Sequence, residues 1–180
     1  MILNSFSKIK MIILDGDGVL NDGKVYIDVF EGRAKKYDIR DGFAIRLASE
    51  EGIIFALIAE KVTEIMKINA TELGITEVHQ GENKLEIYED IKSRYNLVDE
   101  EIVYAGDDIV DIPVIIRAGV GVSVKNAVTE AKAVSDYITE REGGDGAVRE
   151  IIEMVLRAKN LWDDAIKRYL SKHNPGFNYK

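Results

Sequence analysis

Two aspartate clusters are the groups best equipped for chemistry. Asp15-Gly16-Asp17-Gly18-Val19-Leu20 follows the apolar run Met11-Ile12-Ile13-Leu14. Ninety-two positions after Asp15, Gly106-Asp107-Asp108-Ile109-Val110-Asp111 follows Ile102-Val103-Tyr104-Ala105. A carboxylate at the end of a buried strand needs a counter-ion or hydrogen-bond donors, and open α/β sheets bind ligands at the carboxyl ends of their strands. Taken singly, each cluster has a plainer explanation: Asp-Gly is ordinary turn chemistry, and Asp107 and Asp108 can cap a helix that begins near Val110. Together they argue for one site. If the two strands are neighbours, Asp15, Asp17, Asp107 and Asp108 converge, their repulsion demands a hard cation, and all-oxygen ligation favours Mg2+. Lys84 opens a helix, where a cation is electrostatically misplaced unless an anion lies close, so it is either a phosphate or carboxylate partner or a solvated surface lysine.

The elements that must position these groups alternate. Short apolar runs at 9–14, 53–58, 77–79, 102–105 and 120–122, with a possible edge at 137–138, are separated by helical stretches at 42–51, 62–73, 84–95, 110–118, 128–134 and 146–159. That is the pattern of a parallel sheet covered by helices, an α/β fold. In the helix at 62–73, Ile65, Ile68 and Leu73 are expected to rest on the sheet, with Gly74 as its stop. Lys24–Asp28 and Arg33–Tyr37 read as a β-hairpin around a Val-Phe-Glu-Gly tip, packed by Tyr26 and Tyr37. A further amphipathic helix at 160–170 carries Trp162, and 171–180 is expected to be a mobile tail or a subunit contact.

Composition narrows the function classes. The chain has 180 residues, enough for one domain, and a net charge of −8, which disfavours broad capture of nucleic acid. The longest apolar run, Ile53–Ala59, is far short of a membrane span, and no long apolar leader is seen, so a cytoplasmic location is expected. With no cysteine, chemistry falls to carboxylates, lysines and hydroxyls; His79 and His173 lack partners at metal spacing and read as structural or surface residues.

The ordered set Asp15-x-Asp17-Gly-Val-Leu with Asp22-Gly23, Lys84, and Gly106-Asp107-Asp108-x-x-Asp111 resembles motifs one, three and four of the haloacid dehalogenase-like phosphatases. Asp38-Ile39-Arg40-Asp41-Gly42 with Arg46, then Gly52, Leu73-Gly74-Ile75, Gln80-Gly81 and Gly143-Gly144-x-Gly146-Ala147-Val148-Arg149-Glu150 look like its cap-less branch. That branch contains octulosonate 8-phosphate and nonulosonate 9-phosphate phosphatases, and the resemblance spans about residues 8–157. It implies a Rossmann-like three-layer α/β/α sandwich with a hairpin after strand 1 and no cap domain: residues 1–159 as the phosphatase domain, 160–180 as a helix and tail. It also implies Asp15 as nucleophile, Asp17 as acid and base, and Mg2+ held by Asp15, the Asp17 carbonyl and Asp107, with Asp108 or Asp111 supporting the metal shell. Lys84 would pair with the nucleophile and the phosphoryl oxygens. Asp17, Arg40, Asp41, Gly42, Arg46, Lys61 and Lys84 would contact a sugar phosphate used in lipopolysaccharide synthesis. A homotetramer is implied, the hairpin or tail of one subunit closing a neighbour's site with Lys35, Lys36, Arg40 and Arg46 as its cations.

The sequence departs from that pattern. Seven positions after Gly52 the family places a Ser or Thr that bonds the phosphoryl group; here it is Ala59. Losing one charge-assisted bond costs about 1.5–3 kcal/mol, roughly ten- to hundredfold in rate. Glu60 and Lys61 replace Gly and Arg, Asn69 stands where a substrate-binding Arg is frequent, Asp145 replaces another Arg, and the stretch from Gln80-Gly81 to Lys84 is one residue short. The expectation is a slow Mg2+-dependent sugar-phosphate phosphatase. The alternative is a catalytically impaired homologue serving as a binding or assembly subunit in nucleotide-sugar biosynthesis. A phospho-acceptor receiver shares the sheet but has neither hairpin nor second acidic cluster.

Overall fold

A computed structural model describes residues 2–28, 32–177 and 179. In chain order the elements are α1 (Ile2–Phe6), β1 (Met11–Asp15), β2 (Tyr26–Asp28), β3 (Gly32–Ala34), α2 (Ile39–Glu50), β4 (Ile54–Ala59), α3 (Glu64–Leu73), β5 (Glu77–Gln80) and α4 (Lys84–Arg94). They continue with β6 (Ile102–Gly106), α5 (Ile112–Arg117), β7 (Val120–Ser123), α6 (Thr129–Val134), β8 (Tyr137–Ile138), α7 (Ala147–Ala158) and α8 (Trp162–His173). Six strands form one parallel sheet in the order β5-β4-β1-β6-β7-β8. β1 and β6 are buried along their whole length, which is why they read as continuous apolar runs rather than alternating ones. Helices cover both faces: α2 packs on α7, which also carries α1 and α8, while α5 packs on α4 and α6. This is the Rossmann-like α/β sandwich expected.

The chain leaves β1 for β4 and β5 on one side, then returns to place β6 on the other. A crevice opens where strand order reverses, at the carboxyl ends of β1 and β6. The register Leu14↔Ala105 sets Asp15 and Asp107 beside that crevice. Among the described residues no helix is long and apolar enough to cross a membrane.

Local chemistry moved several boundaries. α2 starts at Ile39, three residues earlier than expected, because the Asp38 carboxylate accepts the Arg40 N–H at 2.7 Å and caps it. The expected helix at 110–118 divides into a 3₁₀ turn, Ile109–Asp111, and α5, with Pro113 in the first turn of α5; the turn points Asp111 inward. α3 buries Met66, Ala70 and Leu73, whereas Ile68 is 60% exposed, correcting the expected face. Met66 lies over the bare backbone after β1, where a Cβ on Gly16 would come 2.7 Å from Met66 Cε. The sequence also gave no warning of α1, whose Phe6 is fully buried and meets the Tyr137 ring edge-on at 6.3 Å. Residues 171–173, expected in the tail, continue α8.

β2 and β3 form the anticipated hairpin; residues 29–31 of its tip lie outside the described residues. Tyr26 is on β2 and its hydroxyl donates to Asp22. Tyr37 does not pack in the hairpin: it pairs with Asn21 in an isolated bridge beyond β3.

Asp41, expected at the substrate, lies between helices instead. It is 1% exposed and accepts the N–H groups of Gly146 at 3.2 Å and Arg149 at 2.7 Å, so it ties α2 to the start of α7. Burial pushes its carboxyl up to about 6, against the two backbone bonds that favour the charge. A carboxyl with a raised folded pKa contributes its full stability below the unfolded value and loses it as pH rises through 6. Asp41→Ala is expected to cost about 1–3 kcal/mol at pH 5 by leaving buried N–H groups unpaired. The deficit should narrow at pH 7.5 as the wild type bears the ionisation cost; urea midpoints at the two pH values check this.

Candidate active site

At the crevice, Asp15, Asp17, Ala59, Glu60, Lys61, Lys84, Asp107 and Asp108 line a cavity of about 240 Å³. Its deepest part is an ion-pair relay. Lys84 Nζ, 2% exposed, donates to Asp15 Oδ1 and Asp111 Oδ1, each at 2.7 Å. Asp111 Oδ1 also accepts the Tyr104 hydroxyl at 2.6 Å, and its Oδ2 accepts the N–H groups of Asp107 at 2.9 Å and Asp108 at 3.1 Å. Asp111 is thus fully engaged, holding Lys84 and the loop after β6. Gly106 permits this: a Cβ there would lie 2.4 Å from Asp111 Cβ.

Across the crevice, the loop after β1 is organised by Asn21, a buried residue that sequence reasoning passed over. Its Nδ2 donates to Asp17 Oδ1 at 2.7 Å, and its Oδ1 accepts the N–H of Gly23 at 2.8 Å and of Gly18 at 3.3 Å. The only warning was its place beside the Asp22-Gly23 turn. Gly18 has φ +90° and stands where a Cβ would be 2.1 Å from Asp107 Oδ2, so both conformation and proximity require glycine. Lys35 reaches Asp17 of its own subunit and donates to Oδ1, although it was expected at a neighbour's site.

Burial raises the Asp15 carboxyl well above the usual range; Asp111 raises it further, Lys84 works against this, and Asp107 adds to it. Burial, followed by Asp111, pushes Asp107 up to about 6. Lys84 loses by burial but gains more from Asp15 and Asp111, which hold its ammonium above the ordinary lysine value. One carboxylate oxygen from each of Asp15, Asp107 and Asp111 lies within 4.8 Å of the others. With Asp111 engaged, Asp15 and Asp107 are left to face a cation. An oxygen-only, over-acidic donor set fits Mg2+, whose charge would offset the repulsion felt by both carboxylates.

Residues 21–151, beginning just after the Asp15–Asp17 pair, match the haloacid dehalogenase-like hydrolases. The chain belongs to that family. The hydrolase is 36% identical over 158 residues to the 3-deoxy-D-manno-octulosonate 8-phosphate phosphatase KdsC of Escherichia coli K12, covering 87% of this chain and 84% of that protein. It is 34% identical over 165 residues to the Salmonella typhi enzyme of the same name, covering 91% and 88%. The solved 3-deoxy-D-manno-octulosonate 8-phosphate phosphatase of Moraxella catarrhalis, in complex with magnesium, phosphate and KDO, superposes with a TM-score of 0.89 at 34% identity over 93% of this chain and 97% of that one. By this kinship the hydrolase is a phosphoric monoester hydrolase, and Mg2+ is the cofactor its donor set fits.

Several expected substrate contacts lie outside the acidic cavity of this subunit. Arg40 is held by Asp38, and Asp145 adds a second partner at 3.2 Å; Arg40 lines a different cavity with Arg141 and Arg149. Gly42 brings α2 against α3, since a Cβ would meet Leu73 Cδ2 at 2.7 Å. Arg46 lines two other cavities. Lys61 does line the acidic cavity, exposed at its edge. His79 bonds Glu77 at 2.8 Å, and His173 stacks 4.5 Å from Tyr169.

Proposed function

We propose that the hydrolase removes phosphate from a sugar-acid monoester of the octulosonate 8-phosphate or nonulosonate 9-phosphate type, through an aspartyl phosphate on Asp15. The relay Asp15–Lys84–Asp111 beside Asp107 carries this reading: it places one carboxylate at the head of the cavity with a buried cation fixed against it. Asp15 attacks phosphorus while the sugar oxygen departs with a proton from Asp17. Asp17 then takes a proton from the water that attacks the acyl phosphate, releasing inorganic phosphate and freeing Asp15. Mg2+, held by Asp15 and Asp107 with the Asp17 carbonyl and Asp108 alongside, supplies charge neutralisation of the phosphoryl oxygens. Lys84 pairs with those oxygens once phosphate enters, and Lys61 meets the substrate at the cavity edge. Asn21 and Lys35 orient Asp17, and Lys35 leaves it when the proton must move.

Residues 1–159 form the catalytic unit in this reading, with 160–180 an accessory helix and tail, and the enzyme works in the cytoplasm on a small molecule rather than nucleic acid. Val25, Ile27 and Ile39 are 50%, 73% and 87% exposed around the hairpin. Such apolar surface supports a homotetramer in which hairpins meet and Arg40 or Arg46 faces a neighbour's substrate.

Phosphate release from both sugar-acid phosphates with Mg2+ is the test. Ala59, which favours the alternative of an impaired binding or assembly subunit, is 2% exposed and lines the cavity. Ala59→Ser is expected to raise kcat roughly ten- to hundredfold by restoring one charge-assisted bond. No turnover of any sugar phosphate by either protein would favour the impaired subunit.

A further inference from the structure

β6 reads as an apolar strand, yet its centre carries a hydroxyl. Tyr104 is fully buried, where phenylalanine would meet the needs of packing, and a buried phenol oxygen requires a partner. That partner is Asp111 Oδ1, at 2.6 Å. The same oxygen accepts Lys84 Nζ at 2.7 Å, so two donors divide one carboxylate oxygen. Among the described residues, Tyr104 is the one uncharged side chain bonded to the Asp15–Lys84–Asp111 relay. Burial, then Asp111 and Asp15, hold the phenol far above its ordinary range, so it remains a donor.

This division bears on where the ammonium sits. Asp111 Oδ2 is filled by the N–H groups of Asp107 and Asp108, so Oδ1 is the oxygen that competes with Asp15 for Lys84. A short bond from a hydroxyl to a carboxylate withdraws charge from the accepting oxygen. With Tyr104 in place, Lys84 Nζ lies 2.7 Å from both Asp15 Oδ1 and Asp111 Oδ1. Without the hydroxyl, Asp111 Oδ1 keeps one donor and draws the ammonium toward itself. An ammonium has three N–H groups; the two carboxylates take two, leaving one for a phosphoryl oxygen. We propose that Tyr104 is a positioning residue for phosphoryl transfer: its hydroxyl shares Asp111 Oδ1 and so keeps Lys84 against Asp15 and the phosphoryl group. The inference rests on the reading of Asp15 as nucleophile and is independent of which sugar leaves.

The experiment is calorimetric titration of the full-chain, Mg2+-loaded protein with orthovanadate, whose trigonal-bipyramidal adduct imitates phosphorus under attack and needs no turnover. Tyr104→Phe should weaken orthovanadate binding about tenfold, the scale of one charge-assisted hydrogen bond. Mg2+ affinity, titrated separately, should not fall, because Asp15 and Asp107 stay in place. The variant removes one oxygen and keeps the ring, and the stoichiometry of the titration counts the folded molecules, so a less stable variant still yields its affinity. A hydroxyl that served packing alone would lower the thermal midpoint and leave both affinities unchanged. Equal orthovanadate affinities, or no binding by wild type, would therefore overturn the proposal. So would a loss of Mg2+ affinity as large as the loss for orthovanadate, which would place the effect on the loop after β6. In each of those cases phosphate release from the two sugar-acid phosphates still decides the phosphatase reading. Weakened orthovanadate binding in a protein that releases no phosphate from either one would uphold Tyr104 and defeat that substrate reading instead.

Discussion

Asp15→Asn is expected to lower phosphate release by about 10³-fold or more, to background, while leaving the protein as stable as wild type. The loss follows from removing the nucleophile, a deletion whose cost is among the largest for any single catalytic group. The stability result is less obvious and more discriminating. Asp15 is 5% exposed, and burial together with Asp111 and Asp107 already opposes its charge. Asparagine keeps an oxygen for the Lys84 hydrogen bond, removes the desolvated charge and reduces repulsion around Asp111. In metal-free protein at pH 7.5, the thermal midpoint should hold or rise. With Mg2+ added, wild type should gain stability by mass action and the variant should gain less, because one of the two carboxylates facing the cation is gone. Thermal melts with and without Mg2+, beside a phosphate-release assay, read both. A variant that kept measurable turnover would exclude Asp15 as the nucleophile.

Lys84→Met is expected to be the most destabilising single change at the site, by about 3–5 kcal/mol at pH 7.5, and to abolish activity. Its ammonium is the shared counter-ion of Asp15 and Asp111, the latter 0% exposed, so removing it strands buried carboxylates without a cation. Stranded Asp15, whose carboxyl burial already raises, should take up a proton. A carboxyl with a raised folded pKa contributes its stability below the unfolded value and loses it as pH rises, so the deficit should shrink from pH 7.5 towards pH 5. Adding Asp15→Asn to Lys84→Met should recover part of the lost stability, a non-additive result expected only if the residues share one network. Lys84→Arg should not rescue, because a planar guanidinium does not fit a space shaped around one ammonium. Denaturant unfolding of the two single variants and the double variant measures the coupling. A Lys84→Met protein as stable as wild type would mean that the relay contributes little to the fold.

Much of this was legible because strands buried on both faces need continuous apolar runs, and helices between them need stops and caps. The runs ending at Leu14 and Ala105 marked β1 and β6 to within two residues at each end. Less was legible wherever a short-range contact changed a phase or a partner. Met66, packed over Gly16, is buried on α3 while Ile68 is exposed. Arg40 sits two residues from the Asp38 that captures it and 105 from Asp145, and only the second of those separations requires a fold.

By itself, the sequence determined which reagents the protein owns: two strand-end carboxylate clusters, a lysine opening a helix, and no thiol. Those follow from residue type and local period, which need no knowledge of what lies across the molecule. The tertiary structure alone decided how the charges are shared. It set β1 beside β6, turned Asp111 inward to accept four hydrogen bonds, assigned Lys84 to two carboxylates at once, and moved Asp41 from the substrate to the start of α7. Burial makes each such group depend on a specific partner, and sequence distance does not specify which partner packing will supply.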